Sequence, residues 1–255
     1  MMDLQLKGKK AVVTGASRGI GLAIAQALAA EGAEVYGGAR TVSDELRDTT
    51  PYTLEVDLAT PQGPGQLVGR AVEEFGGLDI LVNNVGGRTT AAAGFLEVYD
   101  DAWASTFELN FLSAVRAIRA ALPSLLESKG SVVTIGSVNS RLAQPRLVEY
   151  SAAKAALANL SKSLSEEFGP RGVRFSTVSP GPVLTGTWTN PELAARRGMS
   201  VEQLVAAVPA FTGLSTGKII DPGEVAAVVL LLASGRLPSA TGSDWVIDAG
   251  MLKSL

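Results

Sequence analysis

Residues 10–33, KAVVTGASRGIGLAIAQALAAEGA, decide the fold. Lys10–Thr14 is a short apolar run and reads as a buried strand. Thr14–Gly21 (TGASRGIG) is a glycine turn, and the Ala- and Leu-rich run behind it reads as a helix stopping at Gly32. Gly15, Gly19 and Gly21 let the chain turn sharply and let a phosphate approach the helix N-terminus, where free N–H groups and the helix dipole favour an anion. The spacing is G-x-x-x-G-x-G rather than the commoner dinucleotide G-x-G-x-x-G.

Further strands are expected at 34–38 (EVYGG), 52–56 (YTLEV), 78–82 (LDILV), 131–135 (SVVTI), 173–178 (VRFSTV) and 244–247 (DWVI). Helical patterns lie between them, at 65–76, 100–127, 149–168 and 222–233. Residues 185–221 are expected to be irregular, a lid or substrate loop longer than an ordinary connection. Strand and helix alternate with no linker, repeat or low-complexity break. This predicts a doubly wound α/β fold with a parallel sheet, one domain over 1–255.

The 255 residues are 46% hydrophobic, enough for a well-buried core. Net charge is −3, which leaves no basic footprint for nucleic acid or an anionic membrane. Cysteine and histidine are both absent. That excludes disulfides, thiolate nucleophiles, Ser-His-Asp triads and histidine metal sites, so no metal site is expected. Acid/base work near neutrality falls to Tyr, Lys, Asp or Glu. The N-terminal MMDLQLKGKK has no apolar signal region, and a cytoplasmic location is expected.

Ligands of such folds sit beyond the carboxyl ends of the strands. Gly15, Arg40, Asp57, Asn84, Ser137 and Pro180 all fall there. The second strand ends in Ala39-Arg40, where an NAD site usually has an acid. Arg40, with Arg18 in the glycine turn, suits a 2′-phosphate and favours NADP(H) over NAD(H); the plain alternative is two solvated arginines. Asn83 and Asn84 can fix loop backbone or a bound ribose. Asn110 can be a helix-interior amide bonded to backbone. Residues 134–154, TIGSVNSRLAQPRLVEYSAAK, hold Ser137, Tyr150 and Lys154. Tyr150 and Lys154 are four apart, one helical turn, and an ammonium there is expected to draw the phenol's pKa toward working pH. A surface tyrosine beside a solvated lysine reads the same in isolation.

Taken together, TGASRGIG, VDL at 56–58, NNVG at 83–86, Asn110, Ser137, Tyr150-x-x-x-Lys154 and PGPVLT at 180–185 resemble the short-chain dehydrogenase/reductase family, in its compact single-domain subgroup. The likeness runs from KAVVTGASRGIG to TGSDWVIDAG near the C-terminus. It implies a Rossmann fold with a seven-stranded, mainly parallel sheet and helices on both faces. It also implies an oxidoreductase interconverting a carbonyl and a secondary alcohol, with catalytic Asn110, Ser137, Tyr150 and Lys154. Tyr150 would donate or remove the proton, Ser137 would hold the substrate oxygen, Lys154 would bind the nicotinamide ribose and depress the Tyr150 pKa, and Asn110 would anchor a water. The same resemblance implies dinucleotide contacts from Gly15, Ser17, Arg18, Gly19, Ile20 and Gly21, and from Asp57 and Leu58 at the adenine. Asn84 would meet the ribose, with Gly86, Pro180 and Gly181 in the same set and Val183 and Thr185 at the carboxamide. Val85 stands where alanine is usual, and Asp248-Ala249-Gly250 where a second glycine is frequent.

The substrate pocket is expected to be bordered by Val138, Asn139, Leu142, Gln144, Trp188 and Phe211. A narrower reading, 3-oxoacyl-carrier-protein reduction, needs a basic surface at the mouth, for which Lys129 and Arg171 are candidates. A non-catalytic nucleotide-binding regulator would show a broken tetrad, and an epimerase would need another glycine spacing and an added domain. A homotetramer or homodimer is expected from the resemblance, through the two long helices and the last strand.

Overall fold

Alternate residues of the central strands go to opposite faces of one sheet, and that is why these strands read as continuous apolar runs. In the computed structural model, which describes residues 3–89 and 94–253, seven strands pair in parallel in the order β3-β2-β1-β4-β5-β6-β7. They are β1 Lys10–Thr14, β2 Glu34–Ala39, β3 Thr53–Glu55, β4 Ile80–Asn83, β5 Ser131–Ile135, β6 Arg174–Pro180 and β7 Ser243–Ile247. The helices are α1 Gly19–Ala30, α2 Asp44–Thr49, α3 Gly63–Phe75, α4 Asp100–Phe107, α5 Ser113–Ser128, α6 Val148–Phe168, α7 Pro191–Arg196, α8 Val201–Thr212 and α9 Pro222–Ala233.

Ala11, Val13, Ile80, Val82, Val133 and Ile135 pack against Ile24 and Leu28 of α1 and Val225 and Val229 of α9. Val12, Leu81, Val132 and Phe175 face the other way, onto Leu67 and Ala71 of α3, Ala117 and Leu125 of α5 and Phe168 of α6. The glycines of EVYGG follow from this double cover. A Cβ on Gly37 would meet Leu46 at 3.0 Å, and one on Gly38 would meet Leu67 at 2.4 Å.

Polar groups fix the ends. Asp79 binds the Lys9 ammonium and the Lys10 N–H, at 2.8 and 2.9 Å. Arg174 donates to the carbonyls of Leu232, Ala233 and Ser234, placing a cation at the C-terminus of α9 where the helix dipole favours it. At the other end of α9, Asp221 accepts from Gly223 N while Glu224 accepts from Asp221 N, a capping box that starts the helix at Pro222. Asp100–Ser128 is long and apolar enough to cross a bilayer. It is interrupted by a π-helical turn at Glu108–Leu112, and α5 packs on α3 and β4.

Residues 185–221 are not irregular, which corrects the sequence expectation: they contain α7 and α8. Asn190 caps α7 by accepting from Glu192 N and Leu193 N, and Ser200 with Gln203 forms a capping box on α8. Val183 and Ile220 bridge in parallel at the root of this excursion, with Leu184 N donating to Ile220 O and Ile220 N to Pro182 O. Its far end is clasped by the C-terminal segment. Lys253 Nζ donates to Ser215 Oγ at 2.8 Å, to Gly213 O and to Gly250 O.

Candidate active site

The strand order reverses between β1 and β4, so their carboxyl ends open a crevice. At β1 the chain passes straight into the glycine turn. Gly15 and Gly19 hold φ of +67° and +56°, the left-handed region that glycine enters without penalty. At Gly21 space decides: a Cβ would lie 2.2 Å from Gly15 O and 2.4 Å from Asn84 Nδ2. Arg18 occupies the N-cap of α1 without a side-chain cap, and no acid stands in the first turn. The leading N–H groups of a three-turn helix therefore keep their capacity for an external anion, which fits a dinucleotide phosphate. Ser17 ties the turn to α2, its Oγ accepting from Ser43 N and its carbonyl from Ser43 Oγ. Arg18 and Arg40 are exposed and in no ion pair among the described residues.

The other dinucleotide residues fall around this turn. Asn84 donates its amide N–H groups to Thr14 O and Gly15 O, at 2.9 and 3.1 Å, so its observed work is to lock the ends of β1 and β4 together. Asp57 is exposed beyond β3, with Oδ1 accepting from Ala59 N. Leu58 is buried in the core beside α3, so only its backbone can face a ligand. Ile20 packs at the margin of the core under α1. Gly181 N bonds Ile247 O just past Pro180, and Val183 is buried at the bridge to Ile220. Thr185 lies against the turn, with its Cγ2 3.0 Å from where a Gly19 Cβ would be.

Ser137, Tyr150, Lys154 and Asn110 come together beyond β4 and β5. The Ser137 and Tyr150 hydroxyls are hydrogen-bonded, and Ser137 Oγ also accepts from Asn139 N at 3.1 Å. Lys154, one turn along α6, is 3% exposed and donates to Ile135 O at 2.9 Å. Its ammonium stands 5.8 Å from the Tyr150 ring centre. Burial lowers the Lys154 pKa to about 8. Burial raises Tyr150 above the ordinary phenol value, while the bond to Ser137 and then the Arg88 charge pull it part of the way back. This corrects the reading in which Lys154 draws the phenol down: the lysine's ammonium is directed at a main-chain carbonyl, and the charge that favours phenolate comes from Arg88.

Asn110 sits in the π-helical turn, fully buried. Its Oδ1 accepts from Gly87 N at 2.9 Å, and its Nδ2 donates to Gly87 O at 2.8 Å and Thr106 O at 3.0 Å. The side chain is thus committed to backbone and pins the loop after β4 against α4. Gly86 lies close in: a Cβ there would come 2.8 Å from Asn110 Oδ1 and 3.2 Å from Lys154 Nζ. Gly87 and Arg88 carry no signal in the sequence that separates them from an ordinary loop. Nor is the Ile135 carbonyl readable, because it is backbone.

Val138, Asn139, Leu142 and Gln144 lie on the turn after Ser137, with Asn139 Nδ2 donating to Gln144 Oε1 at 3.5 Å. Trp188 stands at the root of the excursion, its N–H bonded to Thr185 O. Phe211 is exposed on α8 under the Arg197 guanidinium. Among the described residues no hydrogen bond or ring contact joins Trp188 or Phe211 to Ser137 or Tyr150. Lys129 and Arg171 are placed wrongly for a mouth: they precede β5 and β6, at the amino end of the parallel sheet.

The sequence profile described as short chain dehydrogenase matches residues 9–194. The chain is 34% identical to the 3-oxoacyl-[acyl-carrier-protein] reductase of Vibrio cholerae, covering 97% of this chain and 99% of that one. It is 34% identical to the D-threitol dehydrogenase of Mycolicibacterium smegmatis, with 97% and 94% covered. In structure it is similar to L-sorbose reductase from Gluconobacter frateurii, solved with NADPH and L-sorbose, at a TM-score of 0.93, 33% identity and full coverage of both chains. The chain belongs to the short-chain dehydrogenase/reductase family, enzymes that interconvert CH–OH and C=O groups with NAD(P).

Proposed function

We propose that the protein is an NADP(H)-dependent oxidoreductase interconverting a small carbonyl compound and its secondary alcohol, with Tyr150 as proton donor and acceptor. The observation that carries this reading is the hydrogen-bonded Ser137–Tyr150 hydroxyl pair beside buried Lys154, beyond the same strand ends as the uncapped N-terminus of α1. The turn Gly15–Gly21, with Ser17, Arg18 and Arg40, would hold the dinucleotide, and Asp57, Asn84, Gly86, Pro180, Gly181, Val183 and Thr185 would border it. When bound, the nicotinamide supplies or accepts hydride at C4. Tyr150 delivers the proton to the carbonyl oxygen in reduction and removes it from the hydroxyl in oxidation, while Ser137 steadies that oxygen. Asn110 acts at one remove, by fixing the loop that closes over Lys154. The whole chain would work as one dinucleotide-binding and catalytic unit, with residues 185–221 over the substrate. Exposed Phe95, Leu96 and Tyr99 before α4 and Trp245 on edge strand β7 support self-association as a homodimer or homotetramer.

NADP(H) is favoured by the two unpaired arginines and by the NADPH complex of the similar L-sorbose reductase. A second substrate reading, 3-oxoacyl-carrier-protein reduction, is favoured by the full-length identity to that enzyme. Its expected docking bases, however, lie at the far edge of the sheet. Oxidation of NADPH and NADH with ketoses, simple ketones and 3-oxoacyl thioesters tests these readings together. Tyr150→Phe should lower kcat by roughly 10²–10⁴-fold while NADPH still binds. Arg40→Asp should move the ratio of kcat/KM values toward NADH. Tight NADPH binding with no turnover of any carbonyl by the wild type would instead identify a nucleotide-binding regulator.

A further inference from the structure

We propose that Arg88 is a positioning residue for proton transfer: held on the loop after β4, its guanidinium is the lasting positive charge that stabilises the phenolate of Tyr150. The inference rests on Tyr150 having the role proposed above. The loop's geometry carries it. Asn110 grips Gly87 at both its N–H and its carbonyl, at 2.9 and 2.8 Å. Thr89 Oγ1 meets Thr106 Oγ1 at 2.6 Å and accepts from Ser105 Oγ at 3.3 Å. Arg88 is thus anchored on both sides, by the π-helical turn and by α4. Two residues earlier, Gly86 approaches so closely that a Cβ there would be 3.2 Å from Lys154 Nζ. The loop therefore delivers Arg88 to the side of the site where Tyr150 and Lys154 stand.

Several groups face or flank the phenol. Ser137 reaches it from the end of β5, Lys154 and buried Glu149 lie on its own helix, and Arg88 comes from the loop after β4. Of the two cations, Lys154 loses its charge near pH 8 because it is buried. Arg88 is exposed, and a guanidinium stays charged throughout the range in which proteins fold. Above pH 8 Arg88 is the cation left to favour the ionised phenol, and its effect on Tyr150 runs in that direction. Exposure also limits its strength, because water and salt screen it. A gain of about half a pH unit is expected, roughly a threefold change in phenolate fraction.

The phenol is read directly, without turnover, as the near-ultraviolet tyrosinate absorbance of each protein minus that of its Tyr150→Phe counterpart. The reading is made over the alkaline range in which circular dichroism stays native. Arg88→Gln should reduce the Tyr150 phenolate signal about threefold at fixed pH. Arg88→Lys should restore most of it, and added salt should shrink the wild-type advantage. Coincident wild-type and Arg88→Gln curves, or Arg88→Lys behaving as Arg88→Gln while both remain folded, overturns the proposal. If the shift is found but no carbonyl is turned over, the oxidoreductase reading falls while the electrostatic role of Arg88 stands.

Discussion

Between Ser137 and Lys154 the groups that can do chemistry are held by each other and by main chain, whereas the excursion from Thr185 to Lys218 is held chiefly at its two ends. Lys154 is fixed by the Ile135 carbonyl, Ser137 by Asn139 N, and the loop against them by Asn110. The excursion is gathered by the Val183–Ile220 bridge at its root and the Lys253 clasp at its end. Between these points α7 and α8 expose long faces, with Ala194, Leu204 and Val208 as their buried anchors. Proton and hydride transfer need atoms placed to within fractions of an ångström, and a site built on sheet ends supplies that. A region that selects and releases substrate can be held by fewer contacts, because it has to move.

The largest effect should come from adding one methyl group to each half. Gly21→Ala puts a Cβ into Gly15 O and the Asn84 amide, and neither can move without opening β1 from β4. A loss of at least about 3 kcal/mol, roughly 6–12 °C in Tm, is expected, together with loss of NADPH binding. Gly186→Ala in the excursion meets nothing within 4 Å and should leave Tm within about 2 °C. Equal shifts in calorimetry would break the contrast.

Lys154→Met probes the fixed half through pH. The folded-state pKa of Lys154 is depressed to about 8 from an ordinary 10.5, so burying its charge costs stability below pH 8. That cost is relieved as pH rises from 8 toward 10.5. The stability of Lys154→Met relative to wild type, from urea unfolding, should therefore be greatest below pH 8 and fall by about 3 kcal/mol toward pH 10.5. Other titrations are common to both proteins and cancel. A difference that stays flat with pH would mean that the ammonium is not desolvated.

The smallest effect belongs to the excursion. The Arg197 guanidinium lies 5.1 Å over the Phe211 ring at the surface, linking the end of α7 to α8. Arg197→Ala should cost less than about 1 kcal/mol. If α7 and α8 cover the substrate, KM should rise by a few-fold with kcat nearly unchanged. A kcat loss as large as that of Tyr150→Phe would place the excursion among the fixed groups.

The sheet was legible because buried parallel strands read as apolar runs, and every expected strand appears within two residues of its predicted ends. The glycine turn was legible because positive φ and close packing leave no other residue type. The helices of 185–221 were missed although a signal was present: Ser200-x-x-Gln203 is a capping box, and Asn190-Pro191 is a cap followed by a first-turn proline. Glycines and aromatics on either side obscured them. Helix α2 is only one and a half turns long and offers no periodicity to read.

By itself the sequence determined the alternation of strand and helix, the position of the glycine turn and the identity of the four polar residues beyond β4 and β5. Each of these depends on residue type and local spacing. Only the tertiary structure decided what each polar group is bonded to. Lys154 turned out to be one helical turn from Tyr150 and yet aimed at Ile135, while Arg88, sixty-two positions away in sequence, acts on the phenol. Electrostatic and hydrogen-bond effects follow distance and burial in space, and in a doubly wound sheet the strand order sets those distances.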